Sequence, residues 1–377
     1  MIPEDKRKFM WDSFFTAETL FCMLAILLAF AVSLAATPLA GRLAAKCGCF
    51  DRPDSVRKLH KTPVPYFGGL AILVGFLVSA LVFSFVMLGA IPQNVAVMFI
   101  GGMSICFVGL LDDMYDMPAT LKLLLQIVIS AFTAYFGGAI EYTTIFDRTL
   151  VLGVFSIPVT VLWMVLIINA VNLIDGLDGL ASGVSALESF ALLITSVIMG
   201  NTVCIIASAA LCGAVLGFLP YNANRATIFM GDAGSMFIGY TMACISVFGL
   251  FKAQALFSIV VPALIFALPL LDTVVAFFRR IFKGQSPFKA DRSHLHHKLI
   301  DNGFTPKQSV IAIYCASAVF CVASILFMKY KLFSMVLVLA DFVFLEVLKH
   351  WKLFFNGKKK TSEEISSVET PKKQADQ

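Results

Sequence analysis

Charge is scarce in this chain: Asp, Glu, Lys and Arg make up 14% of its 377 residues, against 59% hydrophobic residues and a mean hydropathy of +0.87. A soluble globule of this length would need far more polar surface, so lipid must be the solvent for most of the chain. Two-residue alternation is also missing, which excludes an outer-membrane barrel and leaves helices as the way across a bilayer. The net charge of +5 is too small to point to nucleic acid, and none is expected as a partner. Cysteine pairs are lacking too. Of nine cysteines, all but Cys47 and Cys49 lie in apolar runs and read as small buried hydrophobes. Cys47 and Cys49 have no second pair that would complete a zinc site. The first apolar stretch is too long for a signal-peptide core and lacks a small-residue cleavage pattern, so it is expected to remain as a helix.

What is present is a series of apolar runs near the length a helix needs to cross a bilayer. They predict an all-α polytopic membrane protein of about eleven spans: 14–38, 68–90, 95–111, 120–137, 150–171, 180–199, 203–219, 234–251, 255–278, 309–328 and 331–349. Basic residues in the flanks predict an outside N-terminus and a cytoplasmic C-terminus. In that arrangement only Lys6, Arg7, Lys8, Arg148, Lys252, Lys329 and Lys331 face outside, of 29 basic residues. Residues 1–350 form one transmembrane domain in this reading, and 351–377 a polar cytoplasmic tail.

Against that apolar background, five charged motifs stand out, because ionisable groups near lipid must be offset by something. Asp112, Asp113 and Asp116 close the third span, spaced so that they crowd one helical end. They are either solvated by headgroup water or share a hard cation such as Mg²⁺, which takes oxygen ligands and phosphates. Asn169, Asn172, Asp175 and Asp178 recur every third residue, a row that one uniform helix would spiral around its axis. Gly176 and Gly179 therefore predict a broken segment, serving either as a site or as a plain hinge. Asp232, in Phe229-Met-Gly-Asp-Ala-Gly-Ser235, opens the eighth span, where it could cap the helix or hold a metal beside a phosphate. Asp272, in or near the end of the ninth span, either pairs with Arg279 or Arg280 or belongs to the functional site. His294-Leu-His296-His297 sits in a basic loop with Arg292 and Lys298; without cysteines it suits an anionic diphosphate better than zinc.

Read in order, these motifs resemble the polyprenyl-phosphate N-acetylhexosamine-1-phosphate transferases. The likeness runs from about Asp51 to Gly303. It takes in Asp51-Arg-Pro, Arg57-Lys-Leu-His60 and Pro65-Tyr-Phe-Gly68-Gly69 as well as the five motifs. Three adjacent histidines mark the MurNAc-pentapeptide branch. His-Leu-His-His is similar instead to the branch that starts O-antigen, enterobacterial-type or teichoic-acid polymers with GlcNAc-1-phosphate.

The resemblance implies an enzyme of the bacterial cytoplasmic membrane, its active site on the cytoplasmic face. It would transfer GlcNAc-1-phosphate from UDP-GlcNAc to undecaprenyl phosphate, with Mg²⁺, or Mn²⁺ in its place, as cofactor. Membrane lipid and a second copy of the chain are further expected partners. Asp232, with Asp113 or Asp112, would hold the metal, and Asp112 would take or orient the acceptor's proton. Asn172, Asp175 and Asp178 would surround the uridine and ribose. Arg292, His294, His296 and His297 would bind the diphosphate and sugar, Lys122 the lipid phosphate, and Asp116 would complete the substrate site, with Gln126 behind it. Another UDP-HexNAc or UDP-MurNAc-pentapeptide as donor, double displacement through an Asp, and a secondary transporter stay open as alternatives.

Overall fold

A computed structural model describes residues 17–51, 63–145, 148–223, 225–249, 257–284 and 294–351. Arg292, the Arg57–His60 motif and the tail beyond Trp351 lie outside the described residues. The chain is built from helices: α1 (Ala17–Cys47), α2 (Gly68–Leu88), α3 (Gln93–Tyr115), α4 (Ala119–Phe136), α5 (Ser156–Ile174), α6 (Leu180–Met199) and α7 (Thr202–Asn222). They are followed by α8 (Gly231–Phe248), α9 (Phe257–Ile265), α10 (Ala267–Phe282), α11 (Leu295–Asp301), α12 (Pro306–Phe327) and α13 (Lys331–Lys349). Two small antiparallel pairs decorate the ends of the bundle: Phe50–Asp51 with Val64–Pro65, and Tyr142–Ile145 with Arg148–Val151.

Among the described residues, eight helices are long and apolar enough to cross a membrane, or nine if the bent pair α9–α10 counts as one span. The expected single span over 255–278 is instead broken by 85°. Pro269 lacks the N–H that would bond the carbonyl of Ile265, which weakens the helix at Phe266, where the break falls. Two other expected spans are helices that fall outside the eight. α13 carries Asp341 and Glu346, and α8 mixes Asp, Ser, Tyr and Thr with its apolar residues.

α8 tolerates that mixture because it runs through the centre of the bundle, buried from Ala233 to Phe248. α2, α3, α5, α6 and α7 pack around it. Small residues allow the approach: a Cβ on Gly69 would strike the backbone at Gly234, and one on Gly109 the backbone at Ala233. Large apolar side chains on the outer faces, such as Leu27 on α1 and Leu339 on α13, are exposed as lipid-facing residues should be.

Candidate active site

The ends of α3, α4 and α5 meet the start of α8 at one end of the bundle. Asp113 turns from α3 to the first turn of α8, where its two carboxylate oxygens accept from the amides of Asp232 (2.8 Å) and Ala233 (3.2 Å). Those amides have no partner within their own helix, so Asp113 acts as an N-cap supplied by a neighbour. Gly231 makes the turn into α8 with φ +69, and a Cβ there would run into the Asp113 carboxylate.

That cap leaves the Asp232 side chain pointing elsewhere. Its Oδ1 accepts from Asn172 Nδ2 at 3.0 Å, and its Oδ2 is paired with the Lys122 ammonium. Lys122 also bonds Asp112 Oδ2 at 2.7 Å, while Asp112 Oδ1 accepts from the Met117 amide at 2.8 Å. Four helices thus deliver two carboxylates, an ammonium and an amide to one point, all partly buried. Asp116 is not part of it: it is exposed in a left-handed conformation (φ 51) at the end of α3.

The Asn–Asp segment is broken, as its spacing predicts: α5 ends at Ile174 and α6 begins at Leu180, with Gly179 at φ 76 between them. Asp178 is engaged by the Ala226 amide (2.9 Å), which ties this turn to the loop before α8. Asp175 is half-buried in the turn. Burial, then the nearby Asp232 and Asp178 carboxylates, push its carboxyl up to about 7.

Asp272 pairs with His294 Nδ1 at 2.9 Å, and its other oxygen accepts from the Leu295 amide at 2.9 Å. The expected ion pair to Arg279 or Arg280 is therefore replaced by an anchor for the histidine helix α11. His296 lies flat on His294 (6.0 Å between ring centres) and against His297 (4.2 Å), with its ring over Gly176. Burial and the neighbouring His297 pull His296 down to about 4. Its ring is therefore uncharged at neutral pH.

Several further residues support the site from outside it. Tyr66 donates to Asp51 Oδ1 (2.7 Å), and the backbone around it clamps the Asp232 loop: Phe229 N to Pro65 O (2.9 Å), Gly68 N to Phe229 O and Gly69 N to Met230 O (3.0 Å each). Asn222 holds the Gly179 amide (3.1 Å) and Ser235 holds Asn172 (2.9 Å). The Pro65–Gly69 motif is the visible trace of the clamp, and Ser235 closes the Phe229–Ser235 motif; nothing local marks Asn222.

Magnesium can be judged against these atoms. Asp112 and Asp232 offer hard oxygens to one point, and the Lys122 ammonium stands there as a cation. Asp113 offers less, because each of its oxygens already accepts from a backbone amide. Among the described residues no three His, Cys, Asp or Glu side chains form a metal-holding group, so a Mg²⁺ here would complete its shell with phosphate and water.

Replacing Asp113 with Ala should uncap α8 and leave buried amides unpaired, costing about 1–3 kcal/mol of stability. Thermal unfolding in detergent should show a lowered midpoint, and activity should fall with it. An unchanged midpoint would mean the cap is not structural.

A helical bundle buried in lipid, with carboxylates, an ammonium and histidines gathered at one end, defines a class: integral membrane proteins that handle an anionic substrate at the bilayer surface. Residues 95–250 match the model of glycosyl transferase family 4. The chain is 34% identical over 333 residues to a probable undecaprenyl-phosphate N-acetylglucosaminyl 1-phosphate transferase of Bacillus subtilis (strain 168), covering 86% of this chain and 92% of that one. It is 36% identical over 303 residues to a decaprenyl-phosphate N-acetylglucosaminephosphotransferase of Mycolicibacterium smegmatis, covering 72% and 73%. With the undecaprenyl-phosphate alpha-N-acetylglucosaminyl 1-phosphate transferase of Escherichia coli (strain K12) the identity is 32% over 288 residues, covering 74% and 76%. The chain belongs to the polyprenyl-phosphate N-acetylglucosamine-1-phosphate transferases of glycosyl transferase family 4.

Proposed function

We propose that this enzyme transfers GlcNAc-1-phosphate from UDP-GlcNAc to undecaprenyl phosphate, releasing UMP and leaving a diphosphate-linked GlcNAc on the lipid. The observation that carries the reading is the meeting of Asp112, Lys122, Asn172 and Asp232 at one helical end. An oxygen of the lipid phosphate attacks the sugar-bearing phosphorus; one P–O bond forms and the P–O bond to UMP breaks. One diphosphate replaces another, so the chain's work is to position two anions and offset their charge.

In this reading Asp232 and Asp112 hold Mg²⁺, which would neutralise diphosphate oxygens and ease departure of UMP. Asn172 fixes the Asp232 carboxylate from the side, and Asp113 fixes its backbone. Lys122 offers its ammonium to the acceptor phosphate. Asp112 orients the acceptor's remaining proton, a modest task because phosphate's second ionisation lies near pH 6. Asp175 and Asp178 face the nucleoside, and the neutral His296 ring over Gly176 joins that turn to His294 and His297 at the sugar diphosphate.

We place this end of the bundle on the cytoplasmic face of a bacterial inner membrane, with eleven crossings and the N-terminus outside, on the strength of the basic-residue bias. The function is tested by UMP release from purified protein that requires UDP-GlcNAc, polyprenyl phosphate and Mg²⁺ together. A panel of UDP-HexNAc donors identifies the sugar. UMP release that needs no acceptor would point to an Asp-phosphate intermediate instead.

Asp272→Ala should free α11 and raise the KM for UDP-GlcNAc about tenfold through loss of the two hydrogen bonds its carboxylate accepts. The acceptor KM should stay as it is. Equal changes in both would place α11 outside the donor site.

A further inference from the structure

α4 turns its polar side chains inward and its apolar ones outward, the reverse of a helix in a water-soluble bundle. Its buried residues are Gln126, Ser130, Thr133 and Ala134, while Leu124 and Val128 are exposed. Thr133 is satisfied, by the Ile129 carbonyl (2.9 Å) and the Tyr240 hydroxyl (2.8 Å). Gln126 Nε2 and Ser130 Oγ are buried with no hydrogen-bond partner. Buried polar groups without partners are rare, and each calls for a reason.

The orientation of the Gln126 amide follows from its neighbour. Asn169 Nδ2 donates to the Val165 carbonyl at 2.8 Å, and a carbonyl can only accept, so that end of Asn169 is the nitrogen. The same Nδ2 lies 2.6 Å from the Gln126 amide, so the atom facing it is Oε1. Nε2 is therefore the unengaged end: a fixed, fully buried N–H₂ donor with no acceptor among the described residues. It lies one helical turn from Lys122 on the same face of α4, deeper in the bundle than the charged centre. Asn169 lies one turn from Asn172, which holds Asp232.

Resting on the function proposed above, we infer that the Gln126 amide donates to a phosphate oxygen of the polyprenyl acceptor, from the membrane side of the Lys122 ammonium. The ligand class is a lipid phosphate monoester. It arrives through the bilayer, along which α4 presents its apolar face, whereas a water-soluble nucleotide sugar does not. Asn169 fixes the amide's orientation, so it is a positioning residue for this contact.

Two near-isosteric variants test the assignment. Gln126→Met removes the donor; Gln126→Glu keeps an oxygen for Asn169 and puts a second oxygen where the N–H₂ stands. Two readouts are needed: the KM of each substrate, and the rise in unfolding temperature produced by farnesyl phosphate alone, without metal or nucleotide. Loss of a hydrogen bond to a charged group predicts an acceptor KM raised about tenfold or more in Gln126→Met, and further in Gln126→Glu. The KM for UDP-GlcNAc should not change, and farnesyl phosphate should no longer shift unfolding in either variant. An acceptor KM equal to wild type in both variants, whatever happens to kcat, overturns the inference and leaves the amide to a buried water. So does a joint rise of both KM values with a lowered unfolding temperature, which marks a packing role. Absence of any transfer by the wild type would instead refute the function itself, and the farnesyl phosphate shift would still report on Gln126.

Discussion

Asp232→Asn is expected to lower transfer by about a thousandfold, the scale seen when a charge-stabilising group is removed from a phosphoryl-transfer site. The exchange of one oxygen atom for an amide nitrogen changes little else. An oxygen remains to accept from Asn172, and the α8 amides stay capped by Asp113, so the fold should survive. Unfolding temperature should match wild type while UMP release nearly vanishes. The contrast with Asp113→Ala is the informative part: the two carboxylates are adjacent in the site, and the proposal assigns one to chemistry and the other to architecture. If Asp232→Asn transferred at near-normal rate, the centre would lie elsewhere.

Lys122→Met should be nearly as damaging, lowering transfer several hundredfold, with roughly the loss that follows removal of one charged group from a partly buried site. Its ammonium bridges Asp112 and Asp232, so removing it leaves two carboxylates facing each other without a cation. That has a second consequence, independent of turnover. In the proposed site the ammonium stands where a divalent ion would, so the two should compete, and Lys122→Met should bind Mn²⁺ more tightly than wild type, by about tenfold. Titration of each protein with Mn²⁺ followed by electron paramagnetic resonance would show it. Weaker Mn²⁺ binding in the variant would mean that Lys122 supports the metal site and does not compete for it.

Much of this arrangement is legible in the amino-acid sequence. Apolar runs mark the helices because lipid admits no other way of satisfying the backbone, and the cost of charge near lipid marks Asp112, Asp232 and the histidines. The broken Asn169–Gly183 segment follows from a spacing of three that would spiral around one uniform helix, and from Gly176 and Gly179 within it. Other features depend on contacts that local sequence does not carry. Asp113 and the α8 amides are well over a hundred residues apart, so its capping role emerges only when α3 and α8 pack. Asp272 has arginines within reach on its own helix, yet its partners lie at α11. The α9–α10 break is written in Pro269, but the run around it is continuously apolar, and hydropathy alone passes over a missing N–H. The polar inner face of α4 is equally hidden: Gln126, Ser130 and Thr133 are spaced as on any helix, and only burial shows that they point inward.

The most direct test of the account is label transfer from UDP-GlcNAc, radiolabelled in the sugar, to polyprenyl phosphate by the purified chain, with wild type and Asp232→Asn measured side by side. The account predicts lipid-linked label and UMP in equal amounts from wild type in the presence of Mg²⁺, and almost none from a variant that unfolds at the same temperature. Full transfer by Asp232→Asn, or no lipid-linked product from wild type with any UDP-HexNAc, would contradict it.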